Sequence, residues 1–193
     1  MRRLLAAAAA LLLGVSGVDG AALALDEAEM ARAIAVGQRS TTSAAPFDAE
    51  WRVTNAAGET VIVVTPFYRL ALAARHASFK GEPFTPSQRD KVLNEQKDRL
   101  PMWVSLKGTR EDFARYYVPR FVVTASGGRE QEIVPTFVQN ERTALRQDGA
   151  FVARCIYGFA TKEITGTSRG ALVVRDVEGR EVGRFGIDLA RMR

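Results

Sequence analysis

Residues 151–159 read Phe-Val-Ala-Arg-Cys-Ile-Tyr-Gly-Phe. Phe151, Ala153, Cys155, Tyr157 and Phe159 share one parity, while Val152, Arg154, Ile156 and Gly158 share the other. Successive side chains on a strand point to opposite faces, so this stretch predicts a strand with one aromatic, core-seeking face. Similar patterns lie on both sides of it. Toward the C-terminus, Leu172 to Arg175 and then Phe185, Ile187 and Leu189 flank Glu178-Gly179, a hairpin signal. Toward the N-terminus, Ile133 to Val138 and Phe121 to Thr124 flank the turn Ser126-Gly127-Gly128, and Met102, Val104 and Leu106 alternate with Trp103, Ser105 and Lys107. Further back, Trp51 and Val53 alternate with Arg52 and Thr54, Asn55 to Gly58 turn, and Val61 to Val64 is a β-branched run suited to a central strand.

These segments add up to about eight strands, and the short turns between sequential neighbours favour antiparallel pairing. Between the second and third strands the pattern changes. Thr65-Pro66 is a helix start that predicts a helix to about Lys80, closed by Gly81. Thr85-Pro86 with Gln88 forms a capping box and predicts a second helix to about Leu100, with Val92, Leu93 and Leu100 as its narrow apolar stripe. The expected fold is a mainly β (α+β) domain over 51–193: an antiparallel β-sandwich with a two-helix insertion at 66–100. A helix-backed antiparallel sheet is the second choice.

Ahead of this domain, Asp26 and Glu29 box the start of a helix, Met30 and Ile34 share one face, and Gly37 reads as its stop. Gln38 to Ala49 carries no apolar period and reads as a linker. Residues 25–50 are therefore expected to form a loosely attached helical arm, or a partner-binding helix on a tether.

Residues 1–24 read as a cleaved signal peptide. Arg2 and Arg3 precede the apolar run Leu4 to Val15, and Ala22-Leu23-Ala24 supplies a small-x-small site, with the cut expected after Ala24. The run of 12 residues is shorter than the roughly 20 a spanning helix needs, so no transmembrane segment is expected after cleavage. The chain would be exported, to the periplasm or outside the cell. Losing Arg2, Arg3 and Asp19 leaves 25 basic and 21 acidic residues from the original 27 and 22, which takes the formal charge from +5 to +4. That excess is too mild and too scattered to predict nucleic-acid binding.

Of 193 residues, 47% are hydrophobic and 25% charged, enough to bury a core. One Cys and one His leave no material for a disulfide framework, a multi-thiolate metal site or a histidine-built metal centre. No metal or cofactor is expected. Gly166-Thr167-Ser168-Arg169-Gly170 matches the nucleophile-elbow pattern, but a strand follows it and no His lies downstream. It reads as a loop. Asp176 to Glu181 has the start of a calcium loop, but Arg180 falls among the would-be ligands, so a hairpin turn is expected. Cys155 shares its face with aromatics and is expected to be a buried, unreactive thiol.

The remaining candidate is a cationic stripe. His76 lies seven residues after Arg69 and four before Lys80, which places the three on one helical face and suits a small anion. A general base is disfavoured, because no carboxylate is evident to orient the imidazole. No catalytic residues are assigned. The chain is expected to be a non-catalytic binding module of a bacterial-type cell envelope, whose partner is an envelope protein, a polymer or a small anion. A carboxylate-based hydrolase is one alternative and requires Glu111, Asp112, Asp176 or Asp188 to meet another acid in a cleft. An accessory protein holding other exported chains is another and requires an exposed apolar patch.

Overall fold

Alternating apolar and polar residues produce ten strands in two antiparallel sheets in the computed structural model, which describes residues 20–124 and 128–193. The helices are α1 (Glu27–Arg39), α2 (Pro66–Phe79) and α3 (Pro86–Gln96). Strands β1 (Arg52–Thr54), β2 (Thr60–Val63) and β3 (Arg99–Gly108) belong to the larger sheet, and β4 (Val118–Thr124) and β5 (Glu130–Ile133) to the smaller. β6 (Phe137–Gln139), β7 (Leu145–Gln147) and β8 (Ala150–Ala160) return to the larger sheet, whereas β9 (Arg169–Arg175) and β10 (Glu181–Asp188) complete the smaller. The larger sheet runs β1-β2-β3-β8-β6 with β7 also on β8, and the smaller runs β10-β9-β4-β5.

The aromatic strand is the centre of this arrangement. On β8 and β3, Phe159 lies opposite Leu100, Tyr157 opposite Met102, Cys155 opposite Val104 and Ala153 opposite Leu106, and all eight are buried. Phe121, Leu172, Phe185 and Ile187 of the smaller sheet are buried too, and Phe121 meets Phe159 with ring centroids 5.7 Å apart. This contact joins the two sheets. The expected α+β sandwich with a two-helix excursion between its second and third strands is what the chain forms.

Several boundaries differ from expectation, each for a local reason. Ile133 to Val138, read as one strand, is split: β5 ends at Ile133 in the smaller sheet and β6 starts at Phe137 in the larger. Pro135 lies between them and has no N–H for a ladder, so the chain changes sheet there. The Ser126-Gly127-Gly128 turn lies partly outside the described residues, although the strands it joins pair from Thr124 opposite Glu130 onward. Helix α3 stops at Gln96 instead of near Leu100 because Asp98 takes φ 60° and Leu100 is used in β3.

The N-terminal helix is the largest departure. Asp26 and Glu29 form the expected box, with bonds of 2.7 and 2.9 Å, but the helix continues through Gly37 to Arg39. Gly37 is not a stop. A Cβ built there would lie 2.1 Å from the Ala71 carbonyl oxygen, so α1 is pressed against the backbone of α2. Ala33 and Gly37 are buried in the same contact. The linker also takes part in the core, since Phe47 packs at 5.5 Å from Tyr68 and 6.1 Å from Trp51. The loosely attached arm is therefore an integral layer of the fold. Residues 1–19 of the expected signal peptide lie outside the described residues.

Cys155 is 1% exposed, and burial pushes its thiol upward in pKa, with Tyr157 and Glu141 nearby as smaller influences. A folded sample should leave an aromatic disulfide reagent unreacted and consume one equivalent only on unfolding; rapid native labelling would contradict burial. Cys155→Ala should cost about 1–2 kcal/mol by denaturant titration.

Candidate functional site

Thr65 and Pro66 set the first wall of the site. The Thr65 hydroxyl accepts from the Tyr68 amide at 3.1 Å, and Pro66 occupies the first helical position, where no amide partner is needed. Helix α2 then runs down the outside of the larger sheet, with Tyr68 edge-on to Trp103 at 6.0 Å. Lys80 caps its C-terminus, and Gly81 at φ 69° turns the chain back. Thr85 starts α3: the Thr85 amide donates to Gln88 Oε1 at 2.8 Å and the Gln88 amide donates to the Thr85 hydroxyl at 3.3 Å.

The two helices enclose an open cleft of about 350 Å³. Arg69, His76 and Lys80 all line it from α2 and its cap, and α3 adds Lys91 and Glu95. Phe84, Ala77 and Val92 supply apolar wall, and Glu82 stands at the turn. Three cations thus face two carboxylates, a formal excess of +1 with His76 neutral. Arg69 Nη2 lies 3.7 Å from Glu95 Oε2, with both side chains well exposed, so water screens this pair. Among the described residues, no carboxylate comes within ion-pair distance of His76, Lys80 or Lys91. Hydrated cations with no fixed partner are a suitable setting for a small anion. A second depression, of about 270 Å³, shares Arg69 and Glu95 with the first and continues to Gln96, Trp103 and Phe137. The Arg69–Glu95 pair is the partition between an ionic hollow and a more apolar one.

No family model, curated protein or solved structure matches this chain.

The other constellations serve the fold. Ser168 closes a turn by accepting from the Thr165 amide at 2.9 Å and leads directly into β9, with no helix behind it. Asp176 Oδ1 accepts from the amides of Glu178 at 2.9 Å and Arg180 at 3.0 Å, so its carboxylate shapes the β9–β10 hairpin. Asp112, Asp176 and Asp188 each face an arginine, at 3.6, 2.8 and 3.2 Å. Glu111 is exposed. Among the described residues, no three His, Cys, Asp or Glu side chains form a metal-ligand group, and no helix is long and apolar enough to cross a membrane.

Lys91, Glu95 and Gln96 were not legible as site residues. Helix α3 reads as a generic charged surface helix, and only the Gly81 turn, which folds it back along α2, gives its charges a common direction.

Proposed function

We propose that the protein is an exported, non-catalytic binding module that takes a small anion, or an anionic group of an envelope partner, in the cleft between α2 and α3. The observation that carries this reading is the convergence of Arg69, His76, Lys80 and Lys91 on one cleft, three of them without a carboxylate partner among the described residues. The adjoining hollow bordered by Trp103 and Phe137 suits a ligand with an apolar body beside its charged group. Export is supported by the leader-like composition of residues 1–24.

His76 is the single histidine, so its imidazole Cε1–H gives one unambiguous proton resonance. Titrating the protein with inorganic phosphate should move that resonance with saturation in the low millimolar range. Lys80→Ala together with Lys91→Ala should weaken the apparent affinity about tenfold, as expected for losing two exposed charge-assisted contacts. A resonance unmoved by phosphate would remove the anion reading.

A second reading has its own observation. Strand β6 is an edge of the larger sheet; Phe137 and Val138 within it are 49% and 44% exposed, and Val134 just ahead of it is 61% exposed. An edge with apolar side chains can accept an extended chain by strand addition, which is what an accessory protein for exported chains would use.

A further inference from the structure

The expected cut after Ala24 would discard residues that are built into the fold. Ala21 is 2% exposed, and Leu23 packs against the core. The Ala21 amide donates to two carbonyls at once, Gly166 at 3.0 Å and Leu189 at 2.9 Å. The approach is close on both sides, since a Cβ on Gly166 would lie 2.2 Å from the Ala21 carbonyl oxygen.

We propose that leader processing hydrolyses the Gly20–Ala21 bond, so that the mature chain begins at Ala21 and its α-ammonium docks on the Gly166 and Leu189 carbonyls. The proposal rests on the export reading above. An amide has one proton to share between those two oxygens, whereas an ammonium has three and gives each acceptor its own charge-assisted bond. Gly20 is partly exposed, so its departure opens the third side of the amine to water. The ammonium is therefore not left dry.

The sequence at this bond also suits a leader peptidase. Of the two positions a leader peptidase reads, Gly20 supplies the small residue immediately before the cut, five residues after the apolar run Leu4 to Val15, and the short aliphatic Val18 stands where the second small residue would be. Gly20 is required by the fold as well while it remains attached: it takes φ 73°, and a Cβ there would meet the Gly166 oxygen at 2.3 Å. In the reaction, water adds to the Gly20 carbonyl and the C–N bond breaks. The hydroxyl remains on the new Gly20 carboxyl and water's other proton goes to the Ala21 nitrogen; the carboxyl then ionises, and its proton completes the Ala21 ammonium. Because Ala21 is enclosed once docked, the cut precedes docking.

The test is to produce the full chain with its leader in a bacterial host, recover it from the exported fraction, and determine its intact mass and N-terminal sequence. The expected product has lost 20 residues and starts at Ala21. A start at Leu23 or Leu25 would overturn the proposal while leaving export intact. A chain that keeps Met1 would overturn the export reading and the proposal with it. Two variants give an independent check: Gly20→Leu should abolish normal maturation and Ala24→Leu should mature as the unsubstituted chain does. The reverse pattern would place the cut after Ala24.

Discussion

Trp51→Ala should lower the stability of the folded chain by about 3–5 kcal/mol, among the largest losses a single core truncation produces. Trp51 is 1% exposed and sits immediately before β1, where its ring ties three segments together. Its centroid lies 5.0 Å from Tyr68, 6.1 Å from Phe47 and 6.2 Å from Phe67, so it joins the 38–49 segment to α2. The indole N–H donates to the main-chain oxygen of Arg193 at 2.8 Å. Alanine would leave a large cavity and remove that donor together. The Arg193 oxygen also accepts from the Thr65 hydroxyl, so it keeps one partner after the substitution. Trp51→Phe retains most of the ring contact and should cost less, about 1–2 kcal/mol, which separates packing from the lost bond. Denaturant titration followed by circular dichroism measures both, and the remaining Trp103 supplies a second probe. A loss below about 1 kcal/mol for Trp51→Ala would mean that this aromatic cluster does not hold the layers together.

That cluster also shows why parts of the fold were legible and parts were not. Strands whose pattern depends on their own side chains, such as β8 with Cys155, Tyr157 and Phe159 on one face, can be read from the residues alone. Helix caps at Asp26, Thr65 and Thr85 are equally local, and each side chain accepts the amide that sequence spacing assigns to it. Phe47 is different. It stands among small residues with no apolar period, so nothing in its neighbourhood signals that it reaches Tyr68 and Trp51. The same holds for the cleft: Arg69, His76 and Lys80 share a helical face by arithmetic, but Lys91 and Glu95 join them only through the turn at Gly81. Ala21 is a further case. Its two carbonyl partners, at Gly166 and Leu189, are far along the chain, and an alanine in a leader-like stretch looks dispensable. Local periodicity reports which face is buried, and long-range closure decides against what.

Gly37→Ala poses the sharpest conflict between local preference and packing. In an isolated helix, replacing an interior glycine by alanine gains about 1 kcal/mol. Here the sign should reverse. A Cβ at position 37 would lie 2.1 Å from the Ala71 carbonyl oxygen, 2.9 Å from its carbon and 3.0 Å from the Arg75 amide nitrogen. All three are backbone atoms of α2 and cannot rotate aside, so α1 must lift and expose part of the face carrying Ala33, Met30 and Ile34. A net loss of about 1–3 kcal/mol follows, and Gly37→Val should exceed it. The cleft should be spared. At 100° per residue, Arg69, Ala73, His76 and Lys80 lie roughly half a turn around α2 from Ala71 and Arg75, so the cleft and the α1 contact occupy opposite sides of the helix. Helix α2 is held in addition through Phe67 and Tyr68, both buried, which pack on Trp51, and through Tyr68 on Trp103, residues outside α1. Gly37→Ala should therefore lower the thermal midpoint and speed amide exchange along α1, while the His76 response to phosphate stays as in the parent protein. A stabilised variant would show that α1 yields to the added methyl group, and a lost phosphate response would show that α1 and the cleft are mechanically coupled through α2.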